Sequence, residues 1–122
     1  MGKERILLVE DDEGMRAAVE RLLVAGGYPV STFGSAEGLL ESDARLAAGC
    51  LIVDIRLPGL SGLELRRRLA AEGLMAPVIF VTAHDDPGTR AQAEAMDPVA
   101  YLLKPFEGRQ LLDAVARALS LP

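Results

Sequence analysis

The sequence is poor in the residues that announce a special chemistry or compartment. It has one cysteine, no tryptophan and 4% aromatic residues. A lone thiol, Cys50, cannot close an internal disulfide and has no partner at metal-ligand spacing, so it reads as a buried structural cysteine in a reducing compartment. Positive charge is not in excess. The 13 Lys and Arg stand against 18 Asp and Glu, a net charge of -5, which removes the bulk electrostatic case for nucleic-acid binding by this segment. No apolar run approaches the ~18–20 residues of a membrane span. Met1 to Arg5 show no signal-peptide pattern, which places the protein in the cytoplasm. Repeats, low-complexity segments and linkers are absent, so 1–122 is expected to be one domain, long enough for a real core.

What is present is a set of short apolar runs, each ending in a polar group. The central run is Leu51-Ile52-Val53, followed by Asp54 and then Ile55-Arg56-Leu57-Pro58-Gly59. It is continuously apolar rather than alternating, the mark of a strand buried on both faces. Asp54 then falls at the strand's carboxyl end, where ligands collect in open α/β sheets. Taken alone, an Asp there more often caps a turn.

The chain alternates. Arg5 to Val9 reads as a strand that runs into Glu10-Asp11-Asp12-Glu13. Met15, Ala18, Val19, Leu22 and Leu23 then recur at helical spacing, and Gly26-Gly27 ends that helix. Tyr28 to Phe33 is a short strand, and Ser35 caps a brief helix through Glu41. After the Asp54 strand, Ser61 with Glu64 forms a capping box, with Leu65 and Leu69 on the buried side. Pro77 to Thr82 is a strand, Pro87 to Met96 an alanine-rich helix, and Val99 to Leu103 a fifth strand followed by Lys104-Pro105-Phe106. Leu111, Leu112, Val115, Ala116 and Leu119 mark the last helix. Five such alternations predict a flavodoxin-like (βα)5 three-layer sandwich around a parallel sheet of order 2-1-3-4-5.

That order brings Glu10 and Asp11, Asp54, Thr82 and Lys104 to one edge. Carboxylates converging there repel unless a cation joins them or their pKa values rise. Hard oxygen ligands in a shallow site suit Mg2+. An aspartate nucleophile, Mg2+, an ammonium and a hydroxyl together make a phosphoryl-transfer site. Each residue alone has a plain structural reading. Asp12 and Glu13 suit the positive N-terminus of the first helix, Lys104 a solvated strand end, and Thr82 an ordinary strand position. Four strand ends each carrying a suitable group make the joint reading the better one. For Lys104 to turn back toward Asp54, the Lys104–Pro105 bond is expected to be cis, at a cost of only ~0.5–1 kcal/mol.

With these residues on the page, the chain resembles a receiver domain of a two-component response regulator over essentially its whole length. The resemblance is carried by Val9-Glu10-Asp11, Asp54 with Arg56-Leu57-Pro58-Gly59 and Gly62, Thr82-Ala83, and Lys104-Pro105-Phe106. The wording around Thr82-Ala83-His84 is most similar to regulators of the nitrogen-fixation and nitrate-response type. The resemblance implies Asp54 as phosphoryl acceptor, with Asp11 binding Mg2+ directly and Glu10 acting largely through water. It implies the backbone carbonyl of Arg56 as a further ligand. Thr82 and Lys104 would bind the phosphoryl group, and Tyr101 would be an aromatic switch. Asp11 with Asp12 is an alternative acid pair. The apolar run stopping at Val9, and Met15 four residues after Asp11, favour Glu10 with Asp11.

The resemblance also implies a sensor histidine kinase as partner and transcription regulation as output. Homodimerisation through the face of helix 4, strand 5 and helix 5, or release of a C-terminal DNA-binding domain not in this chain, would carry the signal. A domain of this kind would catalyse only its own phosphorylation and dephosphorylation. Two rivals are weaker. A haloacid-dehalogenase-like phosphatase would want an acid two residues after the nucleophile, where Arg56 stands. A degenerate receiver acting only as a binding module would lack Asp54, Asp11 or Lys104. One departure stands out: Asp97-Pro98 replaces the usual Gly-Ala before the fifth strand, so the fourth helix is expected to end early or exit differently.

Overall fold

The structure, a computed structural model, describes residues 5–120. The segments over which no export signal is read and where the expected domain ends, 1–4 and 121–122, lie outside the described residues. The elements are β1 (Arg5–Val9), α1 (Glu13–Ala25), β2 (Val30–Phe33), α2 (Ala36–Leu40), β3 (Ala48–Asp54), α3 (Gly62–Ala71), β4 (Val78–Thr82), α4 (Pro87–Glu94), β5 (Ala100–Leu103) and α5 (Gly108–Leu119). A 3-10 turn, Asp43–Ala47, precedes β3. The five strands form one parallel sheet in the order β2-β1-β3-β4-β5, as the alternation predicts.

The strands are apolar on both faces because each face is covered. Leu7, Val9, Leu51, Val53, Val78 and Phe80 pack with Ala36, Leu39, Leu65, Leu69 and Ala93, so α2, α3 and α4 lie on one side. Ile6, Leu8, Cys50, Ile52, Ile79 and Val81 pack with Val19, Leu23, Leu111, Val115 and Ala118, which puts α1 and α5 on the other. Cys50 is buried there, and burial pushes its thiol up to about 12, which leaves it an inert apolar side chain.

Several element details differ from the sequence reading. β2 begins at Val30, not Tyr28, because Pro29 has no N–H for the ladder and serves only as acceptor for Ile6 N (2.9 Å). β3 starts earlier, at Ala48, and the β1–β3 register shifts between Arg5 and Ile6, leaving Gly49 as an extra residue. Ser61 does cap α3 by accepting from Glu64 N (3.1 Å), but no reciprocal bond forms. The Glu64 carboxylate pairs with Arg67 and Arg68 instead. The reciprocal box sits on α5, between Glu107 and Gln110. Ala18 and Ala116 face solvent, while Ala114 and Ala118 are buried.

The α4 exit follows the Asp97-Pro98 departure. The helix stops at Glu94, and Asp97 takes φ 53°, supplying the left-handed residue that glycine would otherwise supply. Gly62 shows what its place in the Asp54 motif is for. A Cβ there would lie 2.5 Å from the Asp54 carbonyl oxygen and 2.6 Å from Val53 Cγ1, so α3 starts flush against the end of β3. Gly62→Ala is therefore expected to destabilise the fold by about 1–3 kcal/mol, read by urea unfolding. An unchanged midpoint would mean that α3 can back away freely.

Candidate functional site

Strand ends build the site. Glu10 and Asp11 follow β1, Asp54 closes β3, Thr82 closes β4, and Lys104 follows β5. Glu10 is 2% exposed and Asp54 5%, while Asp11 is open to solvent. One carboxylate oxygen from each of Glu10, Asp11 and Asp54 lies within 4.8 Å of the others. The Lys104 ammonium reaches in from the far side and donates to Glu10 Oε1 (2.6 Å) and Asp54 Oδ2 (2.7 Å). The Lys104–Pro105 bond behind it is cis. The remaining oxygens are held by backbone. Asp54 Oδ1 accepts from Arg56 N (2.9 Å) and Glu10 Oε2 from Asp12 N (3.1 Å).

Asp12 is not part of this cluster. Its carboxylate accepts from Met15 N (2.9 Å) and caps α1, with Glu13 in the first turn. That geometry separates the two candidate acid pairs: Glu10 and Asp11 face Asp54, and Asp12 serves the helix. The donor set is all hard oxygen, partly open to water, and suits Mg2+.

The electrostatics follow from burial. Desolvation raises the Glu10 pKa above its usual 4.5; the hydrogen bonds and charge of Lys104 offset only part of this, and Asp54 adds to it. Glu10 thus contributes stability that is full below about 4.5 and is lost as pH rises through its folded value. Burial works against the Lys104 charge, but its bonds to Asp54 and Glu10 outweigh that and raise its pKa above 10.5. Its contribution is full below 10.5 and is lost only as pH rises through the folded value.

Thr82 is fully buried, and its hydroxyl accepts from His84 N (3.1 Å) and donates to His84 O (3.2 Å). It shares a sheet face with Phe80, which pairs in register with Tyr101, so Thr82 and Tyr101 lie on the α3–α4 side. The Tyr101 hydroxyl donates to Asp85 Oδ1 (3.4 Å), and the Arg90 guanidinium sits 5.0 Å above the ring. Arg90 also pairs with Asp85 (3.1 Å) and Glu94 (3.0 Å). Burial, then the Asp85 charge, raises the Tyr101 pKa.

Sequence reasoning missed the supports. Arg16 Nη1 donates to the Glu10 carbonyl (2.8 Å) and holds the turn after β1. Glu37, on α2, accepts from Leu60 N (3.1 Å) and lies against the space a Cβ on Gly59 would take. The Asp85–Arg90 bracket on Tyr101 was missed too. Periodicity places Arg16 and Glu37 on helices but carries no information on which backbone group each side chain meets. A hollow of about 520 Å3 opens beside the cluster, lined by Asp11, Arg56, Pro58, Ser61, Thr89 and Gln92 among others.

Residues 6–116 match the model of the response regulator receiver domain. The chain belongs to that family. This receiver is 40% identical over 116 residues to nodulation protein W of Bradyrhizobium diazoefficiens, covering 95% of this chain and 51% of that protein. It is 33% identical over 117 residues to the transcriptional regulatory protein FixJ of the same organism, covering 96% and 57%. Among solved structures, FixJ-N superposes with a TM-score of 0.88 at 31% identity, covering all of this chain and 98% of that one. The response regulator StyR gives 0.88 at 37% identity, covering 97% and 60%. The receiver spans about half the length of the curated relatives it matches. It is a phosphorelay receiver, a signal transducer rather than a classical enzyme.

Removing the shared ammonium should expose its role. Lys104→Met leaves two buried carboxylates facing each other and should cost on the order of 3 kcal/mol at pH 7 in urea unfolding. Millimolar Mg2+ should recover part of the loss. If the variant is as stable as the parent, the ammonium is not what holds the carboxylates together.

Proposed function

We propose that Asp54 accepts a phosphoryl group from a sensor histidine kinase, in a Mg2+-dependent transfer that the domain itself catalyses. The observation that supports this best is the Lys104 ammonium 2.7 Å from Asp54 in a three-carboxylate cluster. Glu10, Asp11, Asp54 and the Arg56 backbone carbonyl would hold the Mg2+. The ion would neutralise charge on the phosphoryl oxygens as they come up against the carboxylates.

The chain's own groups do the rest. A carboxylate oxygen of Asp54 attacks phosphorus as the phosphorus–nitrogen bond of a phosphohistidine breaks, and the electron pair leaves on the imidazole. Lys104 keeps its charge throughout and transfers its hydrogen bond from the carboxylate to a phosphoryl oxygen. The hollow beside Asp11 and Arg56 gives the partner imidazole room to approach. The Thr82 hydroxyl then leaves His84 O and donates to the phosphoryl group, and Tyr101 turns into the space behind it.

The signal would leave through the face of α4, β5 and α5, by homodimerisation or by release of a DNA-binding output domain. The relatives' greater length, and the name of FixJ as a transcriptional regulatory protein, favour such an output. The whole of 1–122 would serve as one receiver domain. Among the described residues no helix is long and apolar enough to cross a membrane, in keeping with a cytoplasmic place of action.

Acetyl phosphate with Mg2+ should add one phosphoryl group, seen by intact mass, and none to Asp54→Asn or in EDTA. Labelling that survives either change would remove Asp54 or the metal from the reaction. Asp11→Ala should weaken Mg2+ binding about tenfold or more, and Asp12→Ala little. Equal losses would mean the acid pair is wrongly chosen. Sedimentation with and without beryllofluoride should show a smaller response in Thr82→Ala and Tyr101→Ala than in the parent. Identical responses would break the Thr82–Tyr101 link.

A further inference from the structure

One buried charge has no role in the phosphoryl site. Arg66, on α3, is only 7% exposed, and its Nε is buried without a hydrogen-bond partner. Its Nη1 meets the Met75 sulfur at 3.7 Å, a weak acceptor. The neighbouring arginines are satisfied: Arg67 by Glu64 and Gln92, Arg68 by Glu64. Among the described residues no carboxylate forms an ion pair with Arg66. Burial pushes its pKa below the ordinary value, and no neighbouring charge acts on it. Packing of the methylene stem accounts for the position of the side chain but leaves the head unexplained. A desolvated guanidinium with no anion is costly, and an anion would relieve that cost.

Arg66 lines a hollow of about 290 Å3 between α3 and the exit of α4. Its other walls are Ala70, Met75, Ala95 and Met96, with Arg67 and Asp97 completing the lining. The volume is near the lower end for small-molecule sites, and the mix of apolar wall and one polar fork is typical of them. A bare inorganic anion would use the fork and waste the apolar wall. A hydrocarbon would use the wall and leave the guanidinium unpaired.

We propose that this hollow binds a small organic monocarboxylate, its carboxylate on Arg66 and its hydrocarbon part against Met75, Ala95 and Met96. The guanidinium fork matches a carboxylate in a bidentate way. Among the described residues Asp97 is the one carboxylate that lines the hollow, and its negative charge opposes an acid entering. The site lies where α4 gives way to β5, at the left-handed turn of Asp97. A ligand there would brace that turn. The proposal is independent of phosphoryl transfer, because its test reads binding alone.

The test titrates the 122-residue chain with octanoate, octan-1-ol and sulfate by calorimetry and amide NMR. Octanoate should bind saturably and shift amides of α3 and of 94–99. Octan-1-ol and sulfate should each bind about tenfold or more weakly. Arg66→Met should weaken octanoate by a similar factor. Ala95→Leu, which adds bulk at an exposed wall and leaves the core alone, should weaken it with Arg66 intact. Asp97→Asn should tighten it a few-fold. The proposal is overturned if octanoate does not bind, if Arg66→Met binds it as well as the parent, or if sulfate or octanol binds equally. A lower melting temperature in Asp97→Asn with no octanoate binding would show that Asp97 itself closes on Arg66, and would overturn it too.

Discussion

One shared ammonium sets the terms for the site. Lys104 lies between two buried carboxylates, 2.6 Å from Glu10 and 2.7 Å from Asp54, and those partners are 94 and 50 residues away in sequence. Without it, two deeply buried carboxylates would face each other with no cation between them. Even so the balance is incomplete: three carboxylates and one ammonium leave two formal negative charges. The raised pKa of Glu10 comes first from its burial, with the Asp54 charge adding to it. On the proposed reading the excess is what draws a divalent cation to this edge. The surrounding devices keep the excess in place. Gly62 lets α3 close over the end of β3, Asp12 spends its carboxylate on the α1 cap, and Arg16 ties down the Glu10 carbonyl.

The helices are held unequally. α5 buries Leu111, Ala114, Val115 and Ala118, and α3 buries five residues including Leu63, Leu65 and Leu69. α4 buries only Ala93. Its N-terminus is well made, with Asp86 accepting from Thr89 N (3.0 Å) and Pro87 in the first turn. Its exit, by contrast, turns at a left-handed aspartate beside the Arg66 hollow. Low apolar burial means a low cost of local displacement. The element best suited to move is therefore the one between the Thr82–Tyr101 pair and the Arg66 hollow.

The sheet order and the convergence of Glu10, Asp11, Asp54, Thr82 and Lys104 were legible because they follow from short-range patterns. Continuous apolar runs mark strands, and five alternations leave few topologies. The apolar run stopping at Val9 favoured Glu10 with Asp11 as the acid pair, and the Asp12 cap is consistent with that choice. Other details escaped because they depend on three dimensions. Glu64 carries the capping-box spacing, yet Arg67 and Arg68 compete for its carboxylate and win. Ala116 sits at helical spacing, but the stripe rotates and Ala114 and Ala118 fill the core. Nothing near Arg66 in the sequence, with arginines on its C-terminal side, distinguishes the one that is buried with its Nε unpartnered.

The bracket around Tyr101 sets how easily a switch at this face can be thrown. Its contacts are all near the surface: a long 3.4 Å bond to Asp85, Arg90 over the ring, and Arg90 paired to Asp85 and Glu94. Exposed ion pairs and a cation over an exposed ring are weak contacts, because water screens them. The Thr82 hydroxyl is held by neutral bonds to the His84 backbone, worth about 0.5–1.5 kcal/mol net. A hydrogen bond to a charged phosphoryl oxygen is worth about 1.5–3 kcal/mol. The unphosphorylated arrangement is thus held by several weak contacts, each of the same order as the single bond proposed to replace it. A phosphoryl group at Asp54 can shift such an equilibrium only by the difference in its interaction with the two states. With α4 anchored by one buried alanine, a difference of one charge-assisted bond is of the right size to shift it.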